Sequence, residues 1–489
     1  VQAARRADLL LLAGFALPLA ALLVGERHIA GAAGLPLDDS WIHLHIARNV
    51  AEGAGFSYNP GVPVAGSTAP LWTLLLAAGF AVFGASMPVA KAVGVAVTLA
   101  AVLVTRQAAL AWGASSPAAT AAAVALAWSG GMAWGALSGM EVSLASLLVA
   151  ASLWAHARER DGLTALLAAL AALARPEALI LIPLFALSRP GLRRPLLFVA
   201  VAAIVLAPAV AFSLRTAGTP LPATAAAKIE GGLVGWLAGV REPVGVLLVQ
   251  RPWAFMVDWG RWLGTTHWLL PVLLAPALAA AGRRHGLALG LPALALILHP
   301  LAMAVLAPYR GPGFQEGRYS IHLLPVAVVV LAAGLGPRLT RPRRMVMVLY
   351  LALALVALAP AAIRYGWAVQ NINAMQVHLG DWVAGRLPAD ARLALNDIGA
   401  IAWVSRRHVI DLMGLVTPEI RPYRRQGEAG VTRFVEETCP DYVVVFPAWF
   451  PSLTSRRELL EPVYAVRLER NEVAGGPEMV VYRLRRCAV

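Results

Sequence analysis

Asp38–Trp72 reads DDSWIHLHIARNVAEGAGFSYNPGVPVAGSTAPLW, with two adjacent carboxylates placed just after the first long apolar run of a very hydrophobic chain. Trp41, Ile42, His45, Ile46 and Asn49 fall near helical spacing, which predicts a helix from Ser40 to Glu52 lying along a membrane surface. Gly53, Gly55, Asn59-Pro60-Gly61 and Gly66 then force turns before a second apolar helix. One aspartate is expected to cap the first helix. A carboxylate at a membrane boundary can also act as a base toward a hydroxyl, and pattern alone favours the cap.

The surrounding chain decides what this stretch is attached to. Of its 489 residues, 59% are hydrophobic and 14% charged. Mean hydropathy is +0.68, and the apolar residues recur in long runs, so the fold class is a polytopic α-helical membrane protein. Eleven runs can carry a span: 8–25, 88–105, 117–133, 139–155, 162–174, 176–188, 194–213, 266–281, 287–306, 319–336 and 345–362. The first lacks an A-x-A cleavage site and runs into Glu26-Arg27-His28, so it reads as a retained anchor.

Ala69–Gly84 is also apolar, and charge argues against counting it as a span. With that run as an interfacial helix, Arg5/Arg6, Arg106, Arg158/Arg160, Arg189/Arg193/Arg194, Arg283/Arg284 and Arg338/Arg341/Arg343/Arg344 fall on one face. The positive-inside rule makes that face cytoplasmic. The segments 26–87, 130–138, 214–265, 307–318 and everything past 363 then lie outside the cell membrane, and the working surface faces outward.

The domains expected are a transmembrane domain over 1–363, with its first outer loop at 26–87, and a soluble α/β domain over 364–489. In that tail, extended apolar runs at Arg392–Leu395, Asp441–Phe446 and Met479–Leu484 alternate with helix-like 371–386 and 427–438. Cys439 and Cys487 sit at strand ends in an oxidising compartment, where they can form a disulfide or stay two thiols. The formal charge of +14 is divided among short turns, loops and the tail without a basic aromatic platform, which argues against nucleic acid and for membrane lipids as the partner of the arginines.

The run D-D-x-x-I-x-x-x-x-A-R-N-x-A-E-G-x-G-x-x-x-N-P-G-x-x-V-x-G-x-T-x-P-L-W resembles the first outer loop of bacterial GT-C glycosyltransferases. The nearest likeness is to the terminal arabinofuranosyltransferase branch; aminoarabinose and protein O-mannosyltransferases are more distant. Ser138-Gly139-Met140-Glu141, Arg175-Pro176-Glu177, Gly218-Thr219-Pro220-Leu221-Pro222 before Lys228, Gly317-Arg318-Tyr319 and Asn396–Ala402 extend the resemblance over most of the chain. It departs at Ser67, Ala223 and Gly311–Gln315, so it does not name the sugar.

The resemblance implies an enzyme that moves a sugar, with inversion, from a polyprenyl-phosphate donor to a hydroxyl on a cell-envelope glycan, lipid or protein. It makes Asp38 the base and Asp39 its neighbour. The departing phosphate needs positive charge in a low-dielectric site, for which Arg175, Lys228 and Arg318 are candidates. His43, Arg48, Glu141, Glu177 and Tyr319 complete the expected donor-binding set. Against this stand an Arg175 ion pair with Glu141 or Glu177, and a Lys228 that merely snorkels. Lys228 is one of two lysines in the chain. His43 and His45 are two apart and point away from each other on a helix, so no metal site is expected from them. No Walker loop, H-E-x-x-H, C-x-x-C or strand-linked G-x-G-x-x-G occurs, and no cofactor is called for; the sequence does not decide whether a divalent ion takes part. Trp382 and Trp449 are candidate acceptor-stacking surfaces in the tail.

Two other classes compete. A transporter or flippase for lipid-linked sugars would use Glu141, Arg175 and Glu177 along a path, but the chain lacks two-fold repeat symmetry. A non-catalytic envelope scaffold would tolerate amides at Asp38 and Asp39.

Overall fold

The computed structural model describes residues 2–229 and 231–485. Cys487 lies outside the described residues, and with it the Cys439–Cys487 pairing. Two compact units emerge: one from the chain up to Val24, Lys91–Pro208 and Ile229–Ile363, the other from Gly25–Ala90, Ala209–Lys228 and the chain from Arg364 onward. The segment Gly25–Ala90 thus packs with the tail, whereas the sequence groups it with the spans.

All eleven apolar runs are helical, but they are not eleven equal spans. Among the described residues six helices are long and apolar enough to cross a membrane: Leu11–Ile29, Met87–Ala111, Arg193–Ala217, Leu287–Leu306, Phe314–Leu335 and Arg341–Arg386. Two bent pairs raise the number to eight: Ser116–Ala127 with Gly130–Leu137, bent by 58°, and Val246–Thr266 with Leu270–His285, bent by 104°. The runs at 139–155, 162–174 and 176–188 become the shorter helices Val142–Ala157, Asp161–Ala174 and Pro176–Leu187. Pro176 explains the break between the last two. It disfavours helical backbone at the preceding residue, and Arg175 is extended at φ −155°, ψ 117°. Pro70–Phe83 has 14 residues, short of the roughly 20 a perpendicular span needs.

The helical unit packs through small residues. Gly94 meets the Ala136 carbonyl so closely that a Cβ would lie 2.4 Å from its oxygen, and Thr98 donates to Ser143 at 2.7 Å.

In the second unit, five strands form one sheet in the order β2-β1-β3-β5-β4. They are β1 (Arg392–Leu395), β2 (His408–Asp411), β3 (Tyr442–Val445), β4 (Leu460–Arg467) and β5 (Glu478–Leu484). β1 pairs in parallel with β2 and β3, while β5 runs antiparallel to β3 and β4. The parallel strands are joined through helices Gly399–Ser405 and Glu428–Thr438, as parallel pairing requires. Strand alternation gives the sheet two apolar faces. Ala394, Val443 and Val445 pack with Phe434 and Leu453 on one. Leu393, Leu395 and Val444 face the other, which is covered by Ile42, Ile46, Tyr58 and Val64 of the Gly25–Ala90 segment together with Met375 and Leu379.

Candidate active site

The predicted helix spans Asp38–Ala51 and is buried along most of its length. Its N-cap position is Leu37, with no side-chain cap, so neither aspartate caps its own helix. Asp38 instead caps a different one. Its Oδ2 accepts the Gly399 N–H at 2.6 Å and its Oδ1 the Ala400 N–H at 2.7 Å, satisfying amides that open Gly399–Ser405. The approach requires glycine, because a Cβ at position 399 would stand 2.1 Å from the Asp38 carbonyl oxygen. Asp38 is 7% exposed. Burial, then the charge of Asp397, pushes its carboxyl well above the usual range, against the two amides that favour its anion.

Asp39 lies about 100° further round the helix and is the more open of the two, with its side chain 32% exposed. Its Oδ2 stands 3.5 Å from the ammonium of Lys228, whose side chain is 21% exposed. Lys228 is positioned by the short helix Ala223–Ala227. Ala223 N–H donates to the Ala65 carbonyl at 2.9 Å, and the Thr224 hydroxyl donates to Gly66 O at 2.7 Å. The Gly218–Lys228 landmark is thereby fastened to the Gly66 turn.

The other polar residues of the helix are occupied in holding it. His43 Nδ1 lies 3.2 Å from the Thr73 hydroxyl and 3.3 Å from that of Ser67, tying the helix to Pro70–Phe83. Arg48 donates to the Trp403 carbonyl at 3.0 Å and lies 4.3 Å above its ring. His45 stacks on Tyr58, and burial, reinforced by the Arg48 charge, lowers its pKa to about 3, so it is neutral. Asn49 donates to Ser57 O and Tyr58 O. Asn59 exchanges two hydrogen bonds with the Val409 backbone on β2.

Asp397 is the residue whose part in this site sequence reasoning missed, although the Asn396–Ala402 run flagged its position. It is half-buried and accepts Gln376 Nε2 at 2.7 Å. Burial, with the charges of Asp39 and Asp411 adding and the Gln376 bond opposing, raises its pKa to about 6. Among the described residues no group of three or more His, Cys, Asp or Glu is arranged to hold a metal ion.

The helical unit contains the rest of the predicted set, gathered in one cluster. Arg175 forms ion pairs with Glu141 and with Glu177, and its guanidinium lies 4.7 Å over the Tyr319 ring. Arg318 donates to the Tyr319 hydroxyl at 3.0 Å and lies 5.0 Å from the same ring. Extended backbone at Arg175 and three successive left-handed residues, Gln315, Glu316 and Gly317, aim these side chains. Gly317 fits because Trp262 presses on it, where a Cβ would meet the indole at 2.1 Å.

The tail from 365 to 482 matches a family model described as a domain of unknown function (DUF8728). No curated protein sequence matches the chain. Among solved structures, ArnT from Cupriavidus metallidurans in the apo state superposes with a TM-score of 0.59 at 13% identity, covering 96% of this chain and 97% of that one. The same enzyme bound to undecaprenyl phosphate gives 0.56 at 14% identity, covering 95% and 96%. The Archaeoglobus fulgidus oligosaccharyltransferase tethered with an acceptor peptide containing the NVT sequon gives 0.57 at 12% identity, covering 97% of this chain and 74% of that one. The likeness runs through the apolar helices, the Gly25–Ala90 segment and the tail alike, and the chain has the GT-C fold.

Proposed function

We propose that the protein is a membrane glycosyltransferase that takes a sugar from a polyprenyl-phosphate donor and transfers it, with inversion, to a hydroxyl acceptor on the extracytoplasmic side of the bacterial inner membrane. The observation that carries this is the partly exposed Asp39 beside Lys228 in a fold shared with an enzyme bound to undecaprenyl phosphate.

A general base must reach the proton it takes. Asp38 fits poorly, since both its oxygens accept backbone amides and little of it is exposed. Asp39 fits better, and we assign it the base role, with Asp38 as the residue that positions it. The acceptor O–H loses its proton to Asp39 as the oxygen attacks the anomeric carbon. The bond from that carbon to the phosphate oxygen breaks on the opposite face, and polyprenyl phosphate departs. Lys228 balances the aspartate charge beforehand and is a partner for phosphate once Asp39 is protonated. Arg318 and Tyr319 keep the donor-phosphate role in this reading. Arg175, flanked by two glutamates, is better suited to ordering its cluster than to holding phosphate. His43 and Arg48 are committed to internal partners and act through the helix.

Incubating the purified protein with a panel of synthetic polyprenyl-phosphate sugars and envelope extract tests this. Release of polyprenyl phosphate with one donor, and a glycoside of opposite anomeric configuration by NMR, is expected. Donor crossing a vesicle membrane without bond cleavage would instead make it a transporter.

A further inference from the structure

A groove of about 350 Å³ opens between helices Ser116–Ala127, Leu270–His285, Leu324–Leu335 and the first turns of the helix from Arg341. Its volume lies in the range of ligand pockets. Its lining is largely apolar and short, Ala121, Ala277 and Leu331 among it, together with the buried Tyr350. The Tyr350 hydroxyl is engaged by His267 Nδ1 at 3.1 Å, so the residue offers the groove its ring rather than a free polar group.

Arg283 and Arg343 stand at the rim, both exposed. Arg343 donates to the Leu335 carbonyl at 2.8 Å, which holds it against the helix end. Among the described residues no carboxylate lines the groove, and neither arginine takes part in an ion pair. The turns that meet there, Gly282–Gly286 and Gly336–Arg344, contain six arginines and no acidic residue. This is uncompensated positive charge above an apolar slot at the arginine-rich end of the spans.

We propose that the groove binds one acyl chain of an anionic glycerophospholipid, with its phosphate between Arg283 and Arg343. The tail gains little by leaving one hydrocarbon environment for another, so selectivity rests on the headgroup. Each basic residue near a membrane surface favours anionic lipid by roughly fivefold. Two arginines therefore favour anionic over zwitterionic lipid by about twenty-fivefold. The site is independent of the donor reaction, since it uses none of the residues assigned to transfer.

Native mass spectrometry of the full chain tests it, with phosphatidylglycerol, phosphatidylcholine and undecaprenyl phosphate offered at equal mole fraction. The expected result is retained phosphatidylglycerol at least tenfold over phosphatidylcholine. Arg283→Gln/Arg343→Gln is expected to erase that preference while the protein stays monodisperse. Ala280→Leu, which fills the groove with both arginines intact, is expected to lose the lipid as well. A wild-type chain that retains both phospholipids equally overturns the proposal, as does a preference that survives the double variant. Undecaprenyl phosphate displacing phosphatidylglycerol from wild type, but not from the double variant, would also overturn it by giving the groove to the donor lipid.

Discussion

Asp38 and Asp39 are neighbours in sequence and about 100° apart around one helix, and that rotation separates their chemistry. Asp38 turns inward and satisfies two amides of the tail; Asp39 turns toward Lys228 and solvent. Asp38→Asn keeps the shape but sets an amide N–H against a backbone N–H. It is expected to destabilise the unit by about 1–3 kcal/mol, read as a lower thermal midpoint. An unchanged midpoint would mean that the two hydrogen bonds contribute nothing. A second expectation concerns Asp397. Its pKa is raised to about 6 in the folded chain, against roughly 3.9 when unfolded. The folded state therefore holds the proton more tightly across that window, and stability falls as pH rises from about 4 to about 6. Asp397→Asn should flatten that part of the curve of thermal midpoint against pH. A slope identical to wild type would contradict the assignment.

At the scale of elements, the helix Gly399–Ser405 is the hinge between sequence-distant parts of one unit. Asp38 caps it, Arg48 grips Trp403 within it, and Tyr58 donates to Ile398 O just before it. Gly399→Ala should therefore lower the thermal midpoint by several degrees, because its Cβ would collide with backbone rather than with a flexible side chain. Gly385→Ala, with nothing within 4 Å of the new Cβ, should be neutral or stabilising by up to about 1 kcal/mol. Equal effects from the two would remove the close-approach argument. Much of this was legible in the sequence. The helix after Asp38, the short apolar helix at Pro70 and the parts of the tail that become β1, β3 and β5 follow from spacing and proline position, and the residues of the Arg175 cluster from the family resemblance. The partners of Asp38 and Arg48 were not legible. Periodicity reports which residues share a face, and it carries no information about an element more than three hundred residues away. β2 and β4 also escaped; they are the two edge strands of the sheet, where partial exposure weakens the apolar run that marks an interior strand.

For the whole molecule, apolar runs foretold helices better than spans. Length and breaks decide which helices can cross, and Arg175-Pro176 divides what hydropathy alone would pass. The charge distribution still orders the chain, and it gives a testable topology. With Cys439 and Cys487 replaced by serine, an impermeant thiol reagent applied to intact cells should label Val62→Cys, whose parent side chain is 57% exposed, and not Arg283→Cys. The reverse labelling would invert the proposed orientation and put the Asp39 face in the cytoplasm.

In the mechanism we propose, Asp39 takes the acceptor proton. The most direct measurement compares single-turnover release of polyprenyl phosphate by wild type, Asp39→Asn and Asp38→Asn at saturating donor and acceptor, with thermal midpoints taken on the same samples. Asp39→Asn is expected to lose roughly 10²–10⁴ in rate with its midpoint unchanged, and Asp38→Asn to lose stability first and rate only in part. An Asp39→Asn variant that turns over like wild type, beside a stable Asp38→Asn variant that does not, would contradict the account and return the base to Asp38.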